Sequence, residues 1–426
     1  MHRRDFLTLA GSTFLQGLLA RAAFAAPSEG APAATRSATA QSVILLWMNG
    51  GPSHLDTWDP KPGAKTGGPT KSIKTRLPGL EIAADMPRIA DVADRLCVVR
   101  SVSSKEGNHQ RAQYLGHTSY APNPTVEHPS FGAWIAKKLG PTAAGLPAFV
   151  SLGGPSIGPG FFGAPFGPFI VQKPGGAPEN TIASVDDERF ARRLSLLSGI
   201  ESRFGARASS RMVSDRRTIY EAANRFMRSP DLAAFDLSSE SDAQKAAYGD
   251  SDFGRGCLVA KRLVRAGVRF VEVTLDGWDT HQDNFGRVKK QLDVLDPALA
   301  ALLTDLGRER GADGRPLLAT TLVVCMGDFG RTPRINANDG RDHYPQAWSA
   351  VLAGAGIAPG VIGATDAAGE KVVGKTVGVA DLVATAASLM GLSPSEEVTS
   401  PIGRPIAVTD SGVALAAALS EPAHGR

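Results

Sequence analysis

Ser42-Val-Ile-Leu-Leu-Trp-Met48 is a continuous apolar run that stops abruptly at Asn49-Gly-Gly-Pro52. A half-exposed strand alternates polar and apolar residues, so an unbroken run reads as a strand buried on both faces, its carboxyl end opening into a loop. Leu96-Cys-Val-Val-Arg-Ser-Val102, Val268-Arg-Phe-Val-Glu-Val-Thr-Leu275 and Thr320-Thr-Leu-Val-Val-Cys-Met326 repeat the form. Segments of helical period separate them: Leu258, Val259, Leu263 and Val264 before the third run, and Leu292, Leu295, Leu299, Leu302, Leu303 and Leu306 after it. Strand and helix in alternation predict an α/β fold, a mostly parallel sheet covered by helices on both faces. Right-handed crossovers then put the functional loops at the strands' carboxyl ends.

Upstream, Met1-His-Arg-Arg-Asp-Phe-Leu7 and the weakly apolar stretch to Ala25 have the form of a twin-arginine export leader. Gly11, Ser12, Thr13, Gln16 and Gly17 dilute that stretch and Arg21 closes it, which disfavours a bilayer-spanning anchor. The division expected is a leader at 1–25 read by the Tat translocase, a flexible Ala/Pro/Ser/Thr-rich linker at 26–41, and a single α/β domain at 42–426. The mature chain then has no membrane span and works in the periplasm or outside the cell. Export of an already folded chain raises the expectation of a cofactor, commonly a metal.

Of 46 basic and 42 acidic residues, Arg3, Arg4, Arg21 and Asp5 fall in the leader, leaving 43 against 41, or +2. With no block of like charges and no basic stretch interleaved with aromatics, nucleic acid is excluded as a partner. Cys97, Cys257 and Cys325 sit in apolar sequence and match no zinc or redox spacing, so they read as buried thiols. An insertion is expected at about 151–247: a Gly-, Pro- and Phe-rich loop to Pro178, then surface helices opened by a Ser184/Asp187 capping pair, together covering the sheet edge.

Polar clusters follow each predicted strand. They are Asn49 to Asp59 with His54 and Asp56, Ser103 to Arg111 with Asn108 and His109, Asp276-Gly-Trp-Asp279-Thr-His281, and Gly327-Asp328-Phe-Gly-Arg331; Arg341-Asp-His343-Tyr344 comes shortly after. Carboxylates neutralise a cation and neutral imidazoles are borderline donors, so Asp/His mixtures at one sheet edge suit a divalent ion such as Zn, Mn or Ca. Gly369-Glu-Lys-Val-Val-Gly-Lys-Thr376 fits a phosphate-binding loop by pattern alone. It lacks the preceding buried strand that mechanism needs and reads as a surface hairpin.

From Tyr248 to about Thr409 the order of these elements resembles the second half of an alkaline phosphatase/sulfatase-superfamily protein. Gly50-Gly-Pro-Ser-His-Leu-Asp-Thr-Trp-Asp-Pro-Lys61, Asn108-His-Gln, Gly277-Trp-Asp-Thr-His281, Gly327-Asp-Phe-Gly-Arg-Thr-Pro333 and Arg341-Asp-His343 resemble, more closely, a bacterial exported family catalogued as domain of unknown function 1501. The resemblance implies that Asp276 or Asp279 with His281, Asp328 and His343 hold metal. It also implies an exported hydrolase or related transferase acting on an anionic ester, phosphate or sulfate, of a small molecule or glycan. In that scheme His109 is nucleophile or general acid/base, and Arg331 clamps the anion. Two departures, Asn49 for a metal-binding Asp and Phe329 for His or Asn, imply one metal rather than two. They also support an alternative, a catalytically inactive member that binds or assembles partners, offering Phe161, Phe162 and Phe166 to Phe169 as an exposed apolar contact.

Overall fold

The computed structural model describes residues 38–140, 145–205 and 210–420, so the expected leader and nearly all of the linker lie outside the described residues. In chain order the main elements are β1 (Ser42–Met48), β2 (Leu96–Val102), α1 (His109–Thr118), α2 (Phe131–Leu139), β3 (Phe149–Leu152), β4 (Phe169–Val171), α3 (Asp187–Gly205), α4 (Ser210–Met227), α5 (Asp252–Arg265), β5 (Phe270–Leu275), α6 (Asn284–Arg308), β6 (Thr321–Gly327), β7 (Trp348–Ala353), β8 (Gly360–Ile362) and α7 (Val379–Leu389). β1 is buried along its whole length, as its sequence requires.

The eight strands form one sheet in the order β8-β2-β7-β6-β1-β5-β3-β4. Only β7 runs against its neighbours β2 and β6. The other pairings are parallel, which confirms the α/β class and sends the carboxyl ends of β1, β2, β5 and β6 to one edge. Met48 lies opposite both Leu275 and Gly327, so the loops opening at Asn49, Asp276 and Asp328 leave the sheet at the same level. Alternate residues feed two apolar layers. Ile44, Leu46, Val271 and Val273 pack toward α5 and α6. Val43, Leu45, Trp47, Val324 and Met326 pack toward α2 and α7.

Some local readings shift. The Gly-, Pro- and Phe-rich stretch read as loop supplies the edge strand β4 and the end of its neighbour β3, because short strands bordered by glycine carry little periodicity. Asp186 rather than Ser184 caps α3, its carboxylate accepting from Arg189 N at 2.8 Å. The expected apolar contact is largely covered: Phe162 is buried, Phe161, Phe166 and Phe169 are half-buried, and Lys137 Nζ lies 4.6 Å above the Phe162 ring. The phosphate-loop look-alike is a hairpin, Ala364–Thr365 pairing with Val372–Val373. All three cysteines are free and buried. The last linker residues are tied down, Thr39 N and Ala40 N both donating to Leu389 O at 2.9 Å. No helix among the described residues is long and apolar enough to cross a membrane.

Candidate metal centre

Four side chains from three loops meet above the carboxyl edge of the sheet. His109 is the first residue of α1, whose N-terminus Asn108 caps by accepting from Arg111 N at 3.2 Å. Asp279 and His281 follow β5, and His343 pairs in a two-residue bridge with Arg331, just past β6. The β1 loop must pass close beneath Asp279. A Cβ on Gly50, where φ is +110°, would stand 2.5 Å from Asp279 N, so this position requires glycine.

The donor atoms form a small polyhedron. Asp279 Oδ1 lies 3.5 Å from His109 Nε2, 3.1 Å from His281 Nε2 and 3.4 Å from His343 Nε2. His281 Nε2 and His343 Nε2 are 3.0 Å apart. Each imidazole has its other nitrogen engaged: His109 Nδ1 with Asp328 Oδ2 at 2.6 Å, His281 Nδ1 with Asp342 Oδ1 at 2.9 Å, and His343 Nδ1 with Gly107 O at 2.7 Å. A ring whose Nδ1–H donates to an oxygen presents a lone pair at Nε2. Three lone pairs therefore face one carboxylate oxygen, and buried His109 Nε2 has no hydrogen-bond partner.

Such a cluster repels itself unless a proton or cation sits within it. A tetrahedral ion with bonds of about 2.0–2.1 Å holds its donors roughly 3.3 Å apart, close to the separations found here. The donor set, three imidazoles and a carboxylate, fits zinc and its transition-metal neighbours better than calcium, which prefers oxygens. The donor atoms of His109, Asp279 and His343 all lie within 4.8 Å of one another, and His281 joins that group through Asp279 at 3.1 Å and His343 at 3.0 Å.

Local electrostatics act in opposite directions on two of the rings, helping a proton compete at His109 and discouraging one at His343. The hydrogen bond that His109 donates to Asp328 chiefly raises the His109 pKa, against the opposing effect of burial. Burial chiefly lowers that of His343, favouring the neutral ring a metal needs. Burial pushes Asp279 up, but the hydrogen bond and charge of Arg331, with His281 and His109, outweigh it and hold the carboxyl below its usual range. The hydrogen bond with His281 leads the causes that keep Asp342 low.

The other residues named from the sequence take different places. Asp328 reaches the cluster only through His109, and its Oδ1 is buried without a partner. Asp276 accepts from Asn49 Nδ2 at 2.5 Å. Arg331, fully buried, donates to Gly50 O, to Gly51 O at 3.0 Å, to Arg341 O at 3.2 Å and to Asp279 Oδ1 at 2.5 Å, which ties its guanidinium to the loop backbones and to Asp279. Phe329 is also fully buried, its ring 4.9 Å from that of His109 and 4.6 Å from that of His343. His54 is buried in a 3₁₀ turn and bonded to Gly369 O at 2.8 Å, while Asp56 pairs with Arg341 at 2.7 Å and anchors the loop that carries His343.

Sequence reasoning did not assign roles to Asp342 and Asn336. Asn336 Nδ2 donates to His281 O at 3.0 Å and to Asp342 Oδ1 at 3.1 Å, fixing ligand and partner together. The signal available was the Asn-x-Asn-Asp-Gly turn immediately before Arg341.

A family model described as Protein of unknown function (DUF1501) matches residues 40–419. No curated protein matches the chain. Solved structures similar to it include the lipoteichoic acid synthase LtaP from Listeria monocytogenes, 11% identical over 85% of this chain and 75% of that one, with a TM-score of 0.37. Another is BT1596, a 2-O GAG sulfatase, 12% identical over 88% and 73% of the respective chains, with a TM-score of 0.35.

Proposed function

This chain belongs to the DUF1501 family, and we propose that it is an exported protein in which His109, His281, His343 and Asp279 hold one divalent transition-metal ion and serve hydrolysis of a phosphate or sulfate ester. The carrying observation is the convergence of three imidazole Nε2 lone pairs on one oxygen of Asp279, each ring oriented from behind by an acceptor. Bound there, such an ion supplies Lewis-acid polarisation of an ester oxygen.

The protein's own groups prepare that site. Arg331 fixes Asp279, Asp342 and Asn336 fix His281, and Gly107 O fixes the His343 tautomer. Side-chain exposures of 46% for Asp279 and 43% for His281 leave one side open to substrate. This assignment makes His109 a ligand rather than nucleophile, because its Nε2 faces Asp279. It likewise makes Arg331 a support rather than an anion clamp, because its guanidinium is buried. The substrate class rests on the motif resemblance, and export on the Arg3-Arg4 leader. Turnover of aryl phosphates or sulfates with added zinc, cobalt or manganese, abolished by His281→Ala, is the expected result. Absence of turnover with every metal and ester class would overturn the hydrolase reading.

A second reading keeps the ion and drops the chemistry. It is favoured by the buried Phe329 ring and by Asn49, whose amide bonds to Gln113 and Asp276, both where superfamily hydrolases bring a second metal. On that reading the protein binds a glycan or protein partner through the same loops.

A further inference from the structure

α1 has little apolar surface with which to find its place. Of His-Gln-Arg-Ala-Gln-Tyr-Leu-Gly-His-Thr, only Ala112, His117 and Thr118 are buried, whereas α2 buries Phe131, Gly132, Ala133, Trp134, Ile135 and Ala136. What α1 has instead is a polar stripe. His109, Gln113 and His117 are spaced i, i+4, i+8 and so share one face of the helix. Each meets a polar side chain from a different strand, and those strands are adjacent in the sheet: β6, β1 and β5.

His109 Nδ1 meets Asp328 Oδ2 at 2.6 Å, just past β6. Gln113 Nε2 donates to Asn49 Oδ1, just past β1. His117 Nε2 meets Glu272 Oε1 at 3.2 Å, within β5. Asp328, Asn49 and Glu272 continue the period-2 faces of Met326, Trp47 and Phe270, the inward set of the layer beneath α1. Neighbouring bonds hold the second and third rungs. Asn49 Nδ2 donates to Asp276 Oδ1 at 2.5 Å, His117 Nδ1 donates to Gln113 O at 2.7 Å, and Ser156 Oγ donates to Glu272 Oε2. Gly116 lets the helix approach: a Cβ there would stand 2.6 Å from the Trp47 ring.

We propose that Gln113 and His117 are positioning residues for His109, the second and third rungs of a polar ladder that sets the axial register of α1 and thereby the place of His109 Nε2 in the metal centre. The inference rests on the metal reading above. Losing a rung costs little apolar burial but frees α1 to slide, which moves His109 away from Asp279. A buried Glu272 otherwise has no evident reason to interrupt a core strand that is buried at nearly every residue.

The test uses zinc and cobalt(II) as probes on the full chain. Gln113→Leu keeps the shape and removes the donor; His117→Gln keeps a donor toward Glu272 and shortens the reach. Both are expected to weaken zinc binding about 10- to 100-fold, the range for lost supporting bonds, and to alter the cobalt d–d absorption. The control Ile135→Val, in the α2 core, lowers the unfolding temperature without changing either metal readout. If wild type binds zinc and both single variants match it in affinity and spectrum, the ladder proposal is wrong while the metal reading stands. If wild type binds neither ion, both fall. Should Gln113→Leu fail to fold, His117→Gln decides by the same criteria.

Discussion

Replacing His281 by Ala should collapse the thermal stabilisation that zinc confers. His281 supplies one donor of four, and its side chain is 43% exposed, so the metal-free protein loses little by the change. A ligand at about 1,000 times its Kd stabilises the folded state by about 4 kcal/mol. The family match at residues 40–419 spans 380 residues, and roughly 2.1 cal/mol/K per residue gives an unfolding entropy near 0.8 kcal/mol/K, so Tm rises about 5 °C. Structural four-ligand zinc sites contribute about 10–16 kcal/mol, so one ligand accounts for about 3 kcal/mol, or roughly a hundredfold in Kd. At the same zinc concentration the variant keeps about 1.4 kcal/mol, a shift near 2 °C. Differential scanning calorimetry, with EDTA-treated protein as reference, reads both numbers. Equal shifts in wild type and variant would refute the placement of His281 at the ion; no shift in wild type with zinc, cobalt or nickel would refute the centre itself.

Other perturbations probe its supports. Asn49→Asp removes the donor to Asp276 and sets two carboxylates where the bond is now 2.5 Å; urea unfolding near neutral pH should report a loss of about 1–2 kcal/mol, smaller in acid where a carboxylate protonates. Arg341→Met leaves the Asp56 carboxylate, 2% exposed, without its countercharge; a loss of about 3–5 kcal/mol is expected by chemical denaturation, and an unchanged midpoint would contradict the anchoring role. Zinc should be released on acidification. The raised His109 pKa lets protons compete from a higher pH than at an ordinary histidine, so occupancy is complete above that range and falls through it. A chromophoric chelator follows the release, and pH-independent binding between about 5 and 8, the span where histidine changes charge, would contradict histidine ligation.

The sheet was largely legible because buried parallel strands leave unbroken apolar runs: Ser42 to Met48 and Leu96 to Val102 match β1 and β2 residue for residue. β7 was not legible. Trp-Ser-Ala-Val-Leu-Ala is buried throughout, but nothing local says that it inserts antiparallel between β2 and β6. β3 and β4 hid in glycine- and proline-rich sequence. For the site, position after a strand brought His109, Asp279, His281 and His343 into view. Which carboxylate turns inward was not readable, since Asp276 and Asp279 differ only in where the turn aims them. Arg331 and Asp328 occupy the loops expected but act through Asp279 and His109, because full burial turns a charged side chain toward whatever groups can satisfy it. His54 and Asp56 carry the same residue types and hold loops instead, a distinction made by tertiary contacts with Gly369 and Arg341.

The central claim is that one ion belongs among His109, His281, His343 and Asp279. Anomalous diffraction at the zinc edge, on crystals of protein supplied with zinc, tests it most directly. The account predicts a single strong peak enclosed by the three Nε2 atoms and Asp279 Oδ1, and its loss in His281→Ala. A peak elsewhere, two peaks flanking Phe329, or no peak at saturating zinc would contradict it.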